Sequence, residues 1–111
     1  MPDVIVDRRA APRYALVLAV EVIEVATKTK LNARTTDVSR VGCYIDTLNP
    51  ISAGQVVSVR LQHGDNILEL RGKVVYISPS LGMGVVFDEP IPPEKLELLD
   101  VWLSEAAAHP S

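Results

Sequence analysis

Cysteine and histidine are scarce in this chain of 111 residues, which has one cysteine, Cys43, and two histidines. A single cysteine excludes an internal disulfide and removes any cysteine-based zinc cluster. His63 falls in a predicted hairpin turn and His109 near the C-terminal end, so neither has a credible nucleophile to activate. The sequence also has no P-loop, no GxGxxG motif and no metal-ligand cluster. These absences predict a protein that is not an enzyme and carries no cofactor.

Long apolar runs and an excess of basic residues are absent too. No run approaches the roughly 20 apolar residues that span a bilayer, and the N-terminus has no basic-then-apolar signal segment. We therefore expect a cytoplasmic protein without direct membrane insertion. The net charge of −3 argues against a nucleic-acid polymer as partner. A small anion needs only a local positive region, and residues 7–13 supply three arginines against one aspartate.

The hydrophobic content is high enough for one compact core. Hydrophobic residues make up 48% of the chain, which disfavours disorder. A chain of this length buries roughly two-thirds of its unfolded surface, which suffices for one core and not for two. Composition therefore predicts a single small domain.

Alternating apolar and polar residues predict strands along most of the chain. Residues 55–62 are the clearest case, since Val57, Val59 and Leu61 alternate with polar neighbours. The predicted strands cover residues 14–25, 31–38, 42–48, 55–62, 67–77 and 81–87. Short turns and no helical pattern separate them, so we predict an all-β fold, a six-stranded antiparallel barrel.

A C-terminal helix is predicted to cap the barrel. Pro93 suits a first helical turn, and Leu96, Leu99 and Leu103 share one face. Trp102 extends that face; we interpret it as a packing residue, the alternative being contact with a partner. The predicted organisation is an N-terminal arm (1–13), a barrel with its helix (14–105) and a frayed tail (106–111).

Two short motifs carry the functional signal. Arg9 and Arg13 form an RxxxR motif, and Asp37, Ser39 and Gly42 form DxSxxG after 23 intervening residues. A guanidinium can stack on a purine, clamp a phosphate or donate to the guanine O6/N7 edge. A carboxylate can accept from guanine N1–H and the exocyclic amine, and a serine hydroxyl can donate to a phosphate or carbonyl. Together the motifs predict a guanine-nucleotide site.

Each motif also has a purely structural interpretation. The arginines can form a solvated basic arm, and Asp37, Ser39 and Gly42 can form a turn between strands. Pro12 disfavours a helix around the first motif, so its two arginines converge only if the chain wraps a ligand. We therefore hypothesise that residues 3–13 are mobile without ligand and become ordered over it.

The order and spacing of the two motifs, with the LGMGVVF segment at 81–87 and the C-terminal helix, resemble the PilZ domain family of bacterial cyclic di-GMP receptors. The resemblance implies that Arg9 and Arg13 bind guanine and phosphate, that Asp37 and Ser39 contact guanine, and that Gly42 leaves room for the ligand. It also implies an effector protein as partner, from motility, attachment or exopolysaccharide machinery.

Three further alternatives stay open at this level. Arg8 is either a solvated arginine or a third guanidinium that stacks on a base of a second nucleotide. Tyr76 is either an aromatic wall for a base or, as the alternation favours, a core residue. The chain as a whole is either a cyclic di-GMP receptor or a PilZ-like docking module that binds a partner without nucleotide. A small enzyme is a third, weaker possibility.

Overall fold

The barrel predicted from the sequence is present in the computed structural model, which describes residues 11–108. The strands are β1 (Tyr14–Ala15), β2 (Ala19–Glu24), β3 (Lys30–Val38), β4 (Gly42–Asp46), β5 (Val56–His63), β6 (Asn66–Ser78) and β7 (Gly82–Phe87), and the helix is α1 (Pro93–Ala108). Every pairing is antiparallel, in the order β3-β2-β5-β6-β7-β4. Strand β4 then pairs back onto β3 and closes a six-stranded barrel. Closure leaves these six strands without a free sheet edge.

The first predicted strand, 14–25, is wrong as a single element, because β1 and β2 are separated at residues 16–18. The hydroxyl of Thr35, which is fully buried, lies in this break. Its Oγ1 accepts from the backbone N–H of Leu18 at 2.9 Å and donates to the carbonyl of Leu16 at 2.7 Å. One side chain therefore satisfies the backbone groups that a continuous ladder would have paired.

The barrel interior holds the residues that the alternating pattern selects. Val22, Val57, Val59 and Leu61 are completely buried, as expected for the inward face of a closed sheet. The capping prediction is also confirmed, since α1 buries Leu99, Trp102 and Leu103. Of the predicted frayed tail, residues 106–108 continue α1, whereas residues 109–111 lie outside the described residues, and their fraying stays a prediction.

Polar contacts join α1 to the barrel at the end that carries the DxSxxG turn. The Lys95 ammonium donates to the Glu69 carbonyl at 2.8 Å, and Arg40, within the turn, pairs with Asp100 at 3.0 Å. The His63 ring lies 5.4 Å from that of Trp102, and its Nε2 lies 3.8 Å from a Glu105 oxygen. Across residues 11–108 no helix has the length and apolar character needed to cross a membrane.

Candidate functional site

Strand β1 brings Arg13 of the first motif beside Asp37 of the second. It is two residues long and pairs with the end of β3, with Tyr14 opposite Val38 and Ala15 opposite Asp37. Arg13, immediately before β1, therefore lies beside Asp37, and its Nη2 donates to a carboxylate oxygen at 3.0 Å. Residues 24 positions apart in the chain thus form one charged pair at the barrel surface.

The Arg13–Asp37 pair is accessible from solvent, with the two side chains 55% and 28% exposed. The hydrogen bond that Arg13 donates to Asp37 and the negative charge of Asp37 raise the pKa of Arg13, desolvation opposes this rise, and Tyr76 raises it slightly further. The guanidinium stays charged in any case. An exposed pair contributes about 0–1 kcal/mol to stability, so both groups can exchange partners for a ligand at little energetic cost.

Ser39 holds the turn between β3 and β4. Its Oγ accepts from the N–H groups of Val41 at 3.1 Å and Gly42 at 3.2 Å, and donates to the Gly42 carbonyl at 3.3 Å. The Ser39 N–H donates to the same carbonyl at 2.8 Å. Because the side chain is buried and fully bonded, a guanine contact by Ser39 requires one of these bonds to open, and that contact stays a prediction.

Gly42 is required by the contact between strands. A Cβ built there would lie 2.2 Å from the Val85 carbonyl oxygen of β7, far inside van der Waals contact. Gly42 is not among the positive-φ residues of the described chain, so its role is close strand approach and not turn conformation. Its predicted role of leaving room for a ligand stays untested.

Two β-bulges shape the barrel surface beside the charged pair. In β3 the register shifts between Thr35 and Asp37, and in β6 between Val74 and Tyr76. Each bulge inserts one residue and reverses the alternation beyond it. Asp37 and Tyr76 consequently lie on the outer face of the barrel. The favoured interpretation of Tyr76 as a core residue is therefore wrong, since it is 45% exposed.

The bulges border a groove on the outer face, which runs from the DxSxxG turn across β4, β7 and β6. Its cavity volume is about 250 Å³. Arg13 and Asp37 form the polar end, and Tyr44, Tyr76, Gly84 and Val86 line the rest. A charged end beside an apolar and aromatic floor fits a ligand with phosphates and planar bases.

Tyr44 and Val75 line the groove but are absent from the sequence-based site. Tyr44 has the pattern of an ordinary alternating strand residue, and Val75 falls on the outward side of β6 by the same alternation. One sequence signal points to them, namely the glycines Gly82 and Gly84, which leave the outer side of the first half of β7 without side chains. The prediction that Arg8 and Arg9 belong to the site concerns residues outside the part of the chain that the structure describes.

Cys43 borders the groove from inside the barrel. Burial raises the pKa of its thiol to about 12, with the Asp37 charge as a second cause. The thiol is therefore neutral at physiological pH and chemically inert. Among residues 11–108 no three His, Cys, Asp or Glu side chains cluster closely enough to hold a metal ion.

The PilZ domain model matches residues 7–105, which is most of the chain. The chain belongs to the PilZ domain family. No match was found among the curated proteins.

Solved structures share the fold at low sequence identity. The Bacillus subtilis inhibitor of motility, MotI/DgrA, has a TM-score of 0.73 and 16% identity over 94% of this chain. This PilZ domain spans only 54% of that protein's length. The PilZ domain of Escherichia coli YcgR, solved with c-di-GMP, has a TM-score of 0.71 and 16% sequence identity, and the match covers 87% of this chain and 90% of that one. The PilZ domain of CeSA from a cellulose-synthesizing bacterium has a TM-score of 0.68 and 16% sequence identity, and the match covers 84% of this chain and 96% of that one.

Proposed function

We propose that this PilZ domain is a receptor for cyclic di-GMP, which binds in the groove on the outer face of the barrel. The observation that carries the proposal is the β1–β3 pairing, because it places Arg13 beside Asp37 at the mouth of a groove with an apolar floor. The YcgR domain of the same fold was solved with this nucleotide, and that supports the choice of ligand.

The proposed roles follow from the chemistry of each group. Asp37 accepts from guanine N1–H and the exocyclic amine, with its carboxylate released from Arg13. Arg13 and Arg9 then bind phosphate or the guanine O6/N7 edge. Ser39 keeps the turn in shape and donates to the ligand where one of its turn bonds opens. Gly42 leaves room for the ligand. Guanine is preferred over adenine, because replacing O6 by an amine sets donor against donor.

Arm ordering is the proposed response to the nucleotide. Residues 1–13 hold the first motif and connect directly to β1, so a ligand bound by Arg9 and Arg13 fixes the arm against the barrel and helix of residues 14–105. Charge-assisted hydrogen bonds offset the conformational entropy that the arm loses. The changed surface is offered to an effector protein of motility, attachment or exopolysaccharide machinery, and the proposal includes no catalytic step.

Calorimetric titration with cyclic di-GMP tests the receptor proposal, with cyclic di-AMP and GTP as ligand controls. We expect saturable binding of cyclic di-GMP alone, and loss of that binding in Arg9→Ala, Arg13→Ala and Asp37→Ala. Arg34→Ala and Asp46→Ala are the matched controls, because both residues are exposed and do not line the groove. Absence of heat and of NMR shifts in the wild type would favour the docking module that binds no nucleotide.

Stoichiometry tests the role of Arg8. If Arg8 stacks on a second, intercalated nucleotide, the wild type binds two molecules and Arg8→Ala binds one. Identical one-to-one stoichiometry in both proteins rules out the second nucleotide and leaves Arg8 as a solvated residue.

A further inference from the structure

The aromatic floor of the groove is built on the glycines of β7. Gly84 lies between two tyrosines in the sheet, paired with Tyr44 of β4 on one side and with Tyr76 of β6 on the other. A Cβ at Gly84 would lie 2.3 Å from Cε2 of Tyr76. A Cβ at Gly82 would lie 2.7 Å from the Tyr44 ring. Each ring therefore rests on the backbone of β7, in space that only glycine leaves open.

The two rings support each other as well. Their centroids are 6.1 Å apart and their planes are inclined by 30°, within the range of favourable aromatic pairs. Tyr76 is held from below by Gly84 and from the side by Tyr44, yet 45% of its surface is exposed. A fixed aromatic ring with one free surface is a platform on which a planar base can stack at small entropic cost.

The position of Tyr76 relative to the charged pair fits a nucleotide. Arg13 and Tyr76 line the same groove, and the Arg13 guanidinium is bonded to Asp37, which lines it too. A base lying on the ring would thus have its edge or its phosphate within reach of these charged groups. Apolar burial alone does not account for the arrangement, because a core tyrosine would face inward.

We propose that Tyr76 is a base-stacking residue of the nucleotide site and that Tyr44 and Gly84 are the positioning residues that hold its ring. This inference rests on the proposed nucleotide function and extends it, since it adds recognition of a base face to the recognition of base edges and phosphates. Stacking does not distinguish guanine from adenine, so it adds affinity for purines while Asp37 supplies the choice between them.

Affinity measurements on substituted proteins give the first test, by calorimetry with cyclic di-GMP. Tyr76→Ala is expected to weaken binding about 5- to 150-fold, the range for loss of one stacked base. Tyr76→Phe keeps the ring and is expected to retain most of the affinity. Ile67→Ala is the matched control, since Ile67 is an apolar residue of β6 with 50% exposure that does not line the groove.

Gly84→Ala gives a second test that leaves Tyr76 itself unchanged. The added methyl group displaces a side-chain ring and not backbone, so the fold survives, which an unfolding curve checks. Affinity is expected to fall as it does in Tyr76→Ala, and the double variant should lose little more than either single one. Full additivity of the two losses would contradict a shared mechanism.

Tyrosine ring signals separate this inference from the receptor proposal. The chain has three tyrosines, so a protein labelled only at tyrosine gives a spectrum that Tyr→Phe variants assign. Stacking predicts an upfield shift of the Tyr76 ring protons on addition of cyclic di-GMP, with Tyr14 as the internal control. Saturable binding that leaves the Tyr76 ring unmoved overturns the stacking role alone. No binding at all overturns the receptor proposal together with it.

Discussion

Single atoms decide several features of this domain at the residue scale. The hydrogen that replaces a side chain at Gly42 lets β4 approach β7, and the thiol of Cys43, next in the chain, is sealed inside the barrel. Neither group needs a ligand to explain its presence. Both border the proposed site, so substitutions here affect the fold before they affect binding.

Gly42→Ala is expected to destabilise the protein by about 1–3 kcal/mol, the usual cost of overpacking. The methyl group would collide with the Val85 carbonyl at 2.2 Å, and that backbone cannot move without disturbing the β4–β7 ladder. Urea unfolding measures the loss. A variant as stable as the wild type would show that β4 and β7 move apart without a loss of stability. Any loss of nucleotide binding in that variant would then come from contact between the added methyl group and the nucleotide.

Cys43 is expected to resist thiol reagents until the protein unfolds. Burial raises its pKa to about 12, above an ordinary value of about 8.5, so the folded state favours the neutral thiol. This contribution to stability is fully present below about pH 8.5 and is lost as the pH rises toward about 12. The reactivity of the Cys43 thiol is measured by an absorbance assay with a disulfide reagent at pH 8, with and without urea. Rapid reaction of the folded protein would contradict the burial.

At the scale of elements, irregularities in the strands create the site. The break between β1 and β2 allows the short strand β1 to pair with β3, and this pairing places Arg13 beside Asp37. The bulges in β3 and β6 direct the side chains of Asp37 and Tyr76 outward. Bulges are common beside functional sites because the inserted residue re-aims the side chains that follow it. The groove therefore depends on where the ladder is interrupted.

Thr35→Val is expected to cost about 1–3 kcal/mol, because the isosteric change leaves the buried Leu18 N–H and the Leu16 carbonyl without their partner. Thr36→Val is the matched control, since the neighbouring threonine is exposed. Denaturant unfolding of both variants gives the comparison. Equal stability of the two would mean that the hydroxyl is not what holds the break.

The sequence predicts the regular part of the fold and not its interruptions. Period-two alternation located the barrel strands, and the face of Leu99 and Leu103 identified the helix, because burial follows periodicity directly. A bulge leaves no comparable signal, since one inserted residue looks like continued alternation until the partner strand is known. Asp37 and Ser39 of the proposed site could be named from the DxSxxG motif, whereas Tyr44 and the exposure of Tyr76 could not be predicted.

At the scale of the whole molecule, α1 closes the barrel end next to the DxSxxG turn. Apolar contacts of Leu99, Trp102 and Leu103 provide the attachment, and the Arg40–Asp100 pair adds a polar link, with side chains 54% and 45% exposed. Exposed pairs contribute little and are screened by salt. The helix is thus held mainly by burial, while the ion pair connects it to the motif.

Leu99→Ala is expected to destabilise the domain by about 2–5 kcal/mol through the cavity it leaves, whereas Arg40→Ala should cost less than about 1 kcal/mol. Val101→Ala serves as a control on the same helix, because Val101 is 48% exposed. Thermal or urea unfolding provides the values. A small effect of Leu99→Ala would mean that packing of α1 against the barrel contributes little to the stability of the domain.

Binding of cyclic di-GMP in the groove is the central proposal for this domain, and an NMR titration of the ¹⁵N-labelled protein tests it most directly. Binding in the groove predicts that amide shifts concentrate at Asp37, Tyr76 and Val86. The opposite wall of the barrel, at the β2–β5 pairing, should stay unchanged. Saturable shifts on that opposite wall, or no shifts at all, would contradict binding of cyclic di-GMP in the groove.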